Sequence, residues 1–398
     1  MEARKVRGAA IAETGNIREG RAGQWLVPSQ TGHGTWVVDY GQGEPTCTCP
    51  DYEKRSAFCK HIFAIEILQR RLMVPTMTEA EGKARPTYKQ NWPAYNAAQM
   101  NEEAHFHGLL YALCQGITMP EQTGRGRPKT PLADVVFACV LKVYTGFSGQ
   151  RATSELKRCE EQGLMRKAPH HNTISDAMNN ADLTSLLRVL VQESASPLAG
   201  VESYFSPDST GFSTRSYDRW FDQKWGKQRK RAKFRKAHAI CGTKTHIVTD
   251  LLVNDQGDAT QFKALVDATG RRFNMVEISA DKAYLSKKNL EAANAHGAVP
   301  YIPFKEGITG KGPALWSKMF HYYQYKREDF DAHYHRRSNI ETVFSMVKMK
   351  FGAALRSKSR TAQVNELYCK FLCHNICVLV SSIYELGLVP EFWQSEVA

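Results

Sequence analysis

The run from Tyr334 to Lys348, Tyr-His-Arg-Arg-Ser-Asn-Ile-Glu-Thr-Val-Phe-Ser-Met-Val-Lys, constrains the fold more than any other stretch, because its periodicity is that of an amphipathic helix with a chemically mixed polar face. At 100° per residue, Tyr334, Arg337, Glu341 and Lys348 fall at about 0°, 300°, 340° and 320°, a sector about 60° wide. The other side supplies Ile340, Val343, Phe344, Val347 and Phe351, an apolar stripe that must lie on a domain core. An acid, two cations and a phenol are therefore turned outward together. Taken alone, that face reads most simply as a solvated one with an Arg337–Glu341 i,i+4 pair.

Size and charge narrow the setting. The 398 residues suffice for two or three domains, and 42% hydrophobic with 23% charged residues is the composition of a globular chain. A formal net charge of +13 and a pI of about 9.2 call for a polyanionic partner, nucleic acid ahead of an anionic membrane surface. No run of about 18 apolar residues occurs, and the start Met-Glu-Ala-Arg-Lys-Val-Arg lacks the apolar centre of a signal peptide. The expectation is a cytoplasmic, nucleoid-associated protein with no membrane partner. Three of the ten cysteines cluster as metal ligands do and the others lie in apolar contexts, so reduced thiols are expected.

Near the N-terminus, Gln24-Trp-Leu-Val-Pro and Thr35-Trp-Val-Val-Asp read as two short strands around the turn-prone Thr31-Gly-His-Gly, with His33 a solvated turn residue. Then come Cys47, Cys49, Cys59 and His61. Three thiolates and one imidazole make a closed tetrahedral set for structural Zn²⁺, with His61 opening an apolar-periodic helix. This C-x-C-x9-C-x-H arrangement, with its Cys49-Pro-Asp-Tyr and Cys59-Lys-His-Ile neighbours, resembles the SWIM zinc finger over residues 20 to 72. The resemblance implies a small ββα module that contacts DNA or protein.

Residues 73 to 130 divide into a linker marked by Pro75, Pro86 and Pro93, a helix over 94–116 with Phe106, Leu109, Leu110 and Leu113 on one side, and Gly124-Arg-Gly-Arg-Pro-Lys129. The Arg125–Arg127 core is of the type that lies in a narrow A·T minor groove, and it serves equally as a flexible basic joint. Residues 131 to 200 read as helical. An apolar helix over 132–146 is closed by Gly146, a second is capped by Ser148 and runs to about Glu161, and a third begins near Asn172 with Asn or Thr as its cap. Such helices suit a helix-turn-helix-like reader of the major groove or a plain helical subdomain. His170 and His171 are loop residues in this reading.

From Val201 the period becomes that of strands. Val201 to Asp208 alternates and then meets Ser-Thr-Gly, which places Asp208 at a strand's end; Ala237–Cys241 and His246–Val253 continue as a meander. A strand from Met275 ends in Asp281, and a helix over Ser286–Ala295 with a strand over Val299–Pro303 completes a strand, helix, strand unit. Asp281 then stands at a carboxyl end, where α/β sheets place ligands. With Glu341 on the helix described first, these are the oxygen ligands needed to hold a pair of hard divalent cations, although Asp250, Asp258 and Glu277 compete for the role. Cys369, Cys373 and Cys377 recur beside His374, but Leu372, Ile376 and Val378–Val380 surround them and a buried helix is expected.

Asp208-Ser-Thr, Ala280-Asp281-Lys-Ala-Tyr284 and the Y-x2-R-x3-E-x6-K run from Tyr334 to Lys348 together resemble the DDE transposases of bacterial insertion sequences, over about residues 125 to 385. The resemblance implies an α/β, RNase H-like catalytic domain over residues 201–385, a mixed sheet flanked by helices. It implies two Mg²⁺ or Mn²⁺ ions per active site on Asp208, Asp281 and Glu341, and DNA-end contacts from Tyr334, Arg337 and Lys348. Arg337 then becomes a phosphate clamp that leaves the Glu341 carboxylate free. The N-terminal finger departs from the common pattern of that family. The basic run Lys224–Lys236, with Lys227, Arg229, Lys230 and Arg231 and interleaved Trp225 and Phe234, suits phosphate and base contacts or a solubilising hairpin tip. Lys305, after the strand, is a further phosphate ligand. The expected protein is a transposase acting on double-stranded element ends and target DNA as a homodimer or larger assembly; a transposon-derived DNA-binding regulator and a metal-dependent nuclease are the alternatives.

Overall fold

The computed structural model describes residues 2–14, 16–21, 23–30, 32, 34–40, 44–73, 91–118, 129–214 and 234–393. His33, Arg125, Arg127, Trp225, Lys227, Arg229, Lys230 and Arg231 lie outside the described residues. The chain divides into two units, Met1–Gln90 and Asn91–Ala398.

In the first unit, α1 (Glu2–Thr14) precedes a four-stranded antiparallel sheet in sequence order, β1 (Arg18–Glu19), β2 (Gln24–Pro28), β3 (Thr35–Asp39) and β4 (Thr46–Cys47). Helices α2 (Pro50–Arg55) and α3 (Lys60–Met73) follow. Both predicted strands are present, the first with alternating burial, and Val27 and Val38 face the core with Ile62 and Ile65 of α3. Helix α1 belongs to the module too and extends it beyond the expected 20–72, adding Ile11 to the core. It passes α3 closely at Gly8, where a Cβ would stand 2.8 Å from the Phe63 Cβ.

Among the described residues, the second unit opens with six helices: α4 (Trp92–Met100), α5 (Glu102–Gln115), α6 (Leu132–Thr145), α7 (Gly149–Glu161), α8 (His171–Asn179) and α9 (Asp182–Ala195). The helix expected over 94–116 is split at Asn101. Gly146, at φ +65°, ends α6, and Ser148 caps α7 by accepting from the Arg151 N–H at 3.4 Å. The cap of α8 is His170, whose Nδ1 accepts from the Asn172 N–H at 3.3 Å, so neither Asn172 nor Thr173 fills that place and His171 is helical rather than a loop residue. Helices α6 and α7 meet at 118°.

The remaining elements are β5 (Tyr204–Ser213), β6 (Phe234–Gly242), β7 (Val248–Val253), α10 (Asp258–Gly270), β8 (Glu277–Ser279), α11 (Lys287–Ala295), β9 (Val299–Tyr301), α12 (Ala314–Tyr325), α13 (Arg327–Tyr334), α14 (Ser338–Phe351) and α15 (Arg360–Leu386), with 3₁₀ turns at Lys282–Tyr284 and His335–Arg337. The sheet order is β7-β6-β5-β8-β9; β5, β6 and β7 form an antiparallel meander, and β8 and β9 continue from β5 in parallel. This is the expected RNase H-like mixed sheet flanked by helices. One face, through Phe212, Ala237 and Ala239, shares a core with α14, α15 and the helices expected as a separate region over 131–200. The other, through Phe205 and Ile240, packs on α10, α12 and α13.

Two expectations change. Asp208 is not at a strand's end but midway along β5, opposite Ala239, because β6 pairs with β5 as far as Ser213 and draws the turn-like Ser209-Thr-Gly into the ladder. Tyr334 and Glu341 are not on one continuous helix: the turn His335–Arg337 intervenes. Helix α15 has the length and mean hydropathy, 1.4, to cross a membrane, yet 78% of its apolar window is buried. It also carries buried Asn365, Glu366, Lys370, His374 and Asn375, all hydrogen-bonded to the surrounding domain, so it is a core helix, as expected around Cys369 and Cys373.

Candidate active site

The three carboxylates reach one place from three kinds of backbone. Asp208 projects from the central strand on the α14 face, in step with Ser206, Thr210 and Phe212. Asp281 follows the end of β8 and caps the next 3₁₀ turn, its Oδ1 accepting from the Ala283 N–H at 3.1 Å. Glu341 sits in the first turn of α14, whose Ile340, Val343, Phe344 and Val347 are buried as the apolar stripe requires, with Phe351 only partly so.

Arg337 lies between them. Its Nη1 and Nη2 donate to Glu341 Oε1 at 2.7 and 2.6 Å, and Nη2 stands 3.6 Å from Asp281 Oδ2. The expectation that Arg337 leaves Glu341 free is therefore corrected: one helical turn brings the guanidinium onto the carboxylate, and Asp281 holds it from the other side. Burial pushes the Asp208 carboxyl above its ordinary range; the Ser209 N–H, donating to Oδ1 at 2.8 Å, and the Arg337 charge oppose this, while the Asp281 and Asp258 charges add to it.

The competing acids have other duties. Asp250 is fully buried and receives Arg188 Nε and Nη2 at 3.0 and 2.7 Å and Gln192 at 2.8 Å. Asp258 pairs with Lys236 at 2.7 Å. Glu277 takes Arg336 Nη1 at 2.7 Å and His333 Nδ1 at 2.9 Å, while the Arg336 guanidinium lies 4.2 Å over the Tyr204 ring. These contacts fasten the turn before α14 to β8 and β5.

Of the expected DNA ligands, Lys348 donates to Thr210 Oγ1 at 2.6 Å, one step along β5 from Asp208, and burial lowers its pKa. Tyr334 is half-buried and lines a cleft of ≈ 750 Å³ with Asp281, Lys282, Lys305, Tyr323 and Arg327. A 3₁₀ turn advances about 120° per residue, so the three intervening residues shift Tyr334 by about 60° relative to a continuous α-helix, from one edge of the sector it shares with Arg337, Glu341 and Lys348 to the other.

The donor set suits hard dications in kind, being oxygen only; two buried hydrogen-bond donors beside it, Arg337 Nε and Tyr284 Oη, have no partner among the described residues and suit an anion. As they stand, with Arg337 between Asp281 and Glu341, the three acids do not form a set with all donor atoms within 4.8 Å; among the described residues that closeness belongs to Cys47, Cys49, Cys59 and His61. There His61 Nδ1 is 3.8 Å from Cys47 Sγ and 3.9 Å from Cys59 Sγ, the separation expected around one ion with bonds of about 2.0–2.3 Å. A hydrogen bond from Cys47 holds the Cys59 thiol well below its ordinary value, while the same contact pushes Cys47 up.

Comparison with known families now applies to both places. Residues 202–376 match the transposase DDE domain, and residues 36–68 match the SWIM zinc finger. The chain carries a DDE transposase domain and a SWIM finger. No curated protein matches it. A DDE domain implies divalent metal ions and a DNA partner, and the finger's three cysteines and one histidine imply zinc. What the sequence left unnoticed in the DDE domain is its supporting residues: Ser206 and Thr210, visible only as the same-face neighbours of Asp208, and the Glu277–His333–Arg336 anchor, which no spacing signals.

Proposed function

We propose that this chain is a transposase that binds the ends of its own element, cuts there by metal-assisted hydrolysis, and joins the freed 3′-hydroxyl to target DNA. The observation that supports this most is the approach of Asp208, Asp281 and Glu341 to a single guanidinium inside a DDE domain. When bound at those carboxylates, a pair of Mg²⁺ or Mn²⁺ ions would activate the attacking water or 3′-hydroxyl and neutralise the leaving oxygen.

The chain's own residues orient the DNA. Arg337, whose Nε has no partner among the described residues, transfers from Glu341 and Asp281 to a phosphate of the DNA end, which frees both acids. Tyr334 and Lys305 border the cleft beside Asp281 and receive the adjoining backbone. Lys348, held on Thr210, takes a neighbouring phosphate. Lys227, Arg229, Lys230 and Arg231, together with Arg125 and Arg127, extend the basic footprint of a chain whose net charge is +13. Engaging both ends requires at least two copies, acting in the cytoplasm at the nucleoid, and the finger contributes a further DNA or protein contact.

The test uses purified chain, Mg²⁺ and DNA carrying the gene with its flanking sequences, where terminal inverted repeats are expected. Cleavage at the repeats is expected, and Asp281→Asn abolishes it while gel-shift binding persists; undiminished cutting by that variant refutes the assignment.

A further inference from the structure

Resting on the reading of Asp208, Asp281 and Glu341 as the metal-holding set, we propose that the buried Ser206 hydroxyl is the positioning group that fixes the spacing of all three acids. Ser206 is fully buried and shares its one hydroxyl proton between two backbone carbonyls, Ser279 O at 2.9 Å and Arg337 O at 3.3 Å. Each contact touches a segment that carries an acid. Ser206 lies two residues before Asp208 on β5, and therefore on the same face. Ser279 is the last residue of β8, two before Asp281. Arg337 is the N-cap of α14, one turn before Glu341.

The backbone does not hold these segments together at that level. The parallel ladder between β5 and β8 ends at Phe205 opposite Ile278, so the exit of β8 toward Asp281 passes beyond its last register pair with β5. The turn before α14 is fastened from its outer side, through Arg336 to Glu277 and through Asn339 to His246 at 2.9 Å. On the inner side, the Ser206 hydroxyl joins the turn to both strands. Its loss leaves two carbonyls without this donor and lets the exit of β8 and the start of α14 drift independently of Asp208. Ligands must be held within about 0.5 Å to share an ion, and removing a supporting hydrogen bond of this kind costs about 10–100-fold in metal affinity.

The probe is Mn²⁺ alone, titrated into zinc-loaded full-length chain and followed by the electron paramagnetic resonance of the free ion. Ser206→Ala and Ser206→Cys, the second filling the space with a weak donor, are expected to bind about 10–100-fold more weakly at the Asp281-dependent site. Ser382→Ala, which removes a similarly buried hydroxyl donating to Val378 O at 2.9 Å on α15, is expected to bind as wild type. Hydrogen exchange at residues 279–284 and 335–341 accelerates in the Ser206 variants and not in Ser382→Ala. Wild-type Mn²⁺ affinity in either folded Ser206 variant overturns the assignment, and so does failure of both to fold, which makes the hydroxyl a general structural group. If Asp281→Asn binds Mn²⁺ as wild type does, the metal reading itself is overturned, an outcome distinct from either.

Discussion

Replacing Asp208 by Asn separates what this residue does for the fold from what it does for the site. Burial, with Asp281 and Asp258 nearby, raises its carboxyl, so the folded chain binds a proton there more tightly than the unfolded chain does. Ionisation at neutral pH therefore costs stability. An under-compensated buried charge costs about 1–3 kcal/mol, and the Ser209 N–H at 2.8 Å with the Arg337 field offset part of it, which leaves about 1–2 kcal/mol. Asn keeps an oxygen for the Ser209 N–H and discards the charge. At roughly 2–4 °C per kcal/mol for a large domain, the variant should melt about 2–8 °C higher in buffer free of Mg²⁺ and Mn²⁺.

The same substitution should reverse the order once metal is added. Wild type gains about 2.7 kcal/mol at a concentration one hundred times the dissociation constant, and the variant, short of a ligand, gains little. Proton linkage supplies a second readout. Below the ordinary Asp value of 3.8 the carboxyl is protonated in both states and the gap vanishes; it opens as pH rises through the raised folded value and is full above it. Calorimetry of zinc-loaded wild type and variant, paired at each pH so that other titrations cancel, checks both effects. A metal-free variant that melts below wild type, or a gap indifferent to pH, refutes the electrostatic account.

Two further outcomes follow from the partners of other residues. Cys59→Ser should lose zinc, measured by atomic absorption, and unfold residues 20–72 while Asp281-dependent Mn²⁺ binding is retained, because its thiol is one of four donors grouped within 4.8 Å in the first unit. Arg188→Met strands the fully buried Asp250 carboxylate and should destabilise the second unit by about 3–5 kcal/mol in urea melts, with no specific loss of Mn²⁺ affinity in the fraction that remains folded.

How far the sequence carried this reading depends on whether a feature is local. Gly146 and Ser148 end and cap helices where their backbone chemistry demands, the two N-terminal strands lie where the sequence places them, and the zinc ligands share a short segment. Asp208 was misplaced along its strand because Ser209-Thr-Gly is turn-like by itself and becomes strand only through the distant β6. The break between Tyr334 and Ser338 has no breaker residue; there Glu277, from β8, holds both His333 and Arg336. Periodicity made Arg337 and Glu341 neighbours but could not say which group Arg337 would serve, since that depends on what arrives opposite. Asp281 arrives opposite, carried by the end of β8. One cation between two acids is held by both, so a dication that takes the acids and a phosphate that recruits the guanidinium favour the same rearrangement, and metal and DNA are expected to strengthen each other's binding here.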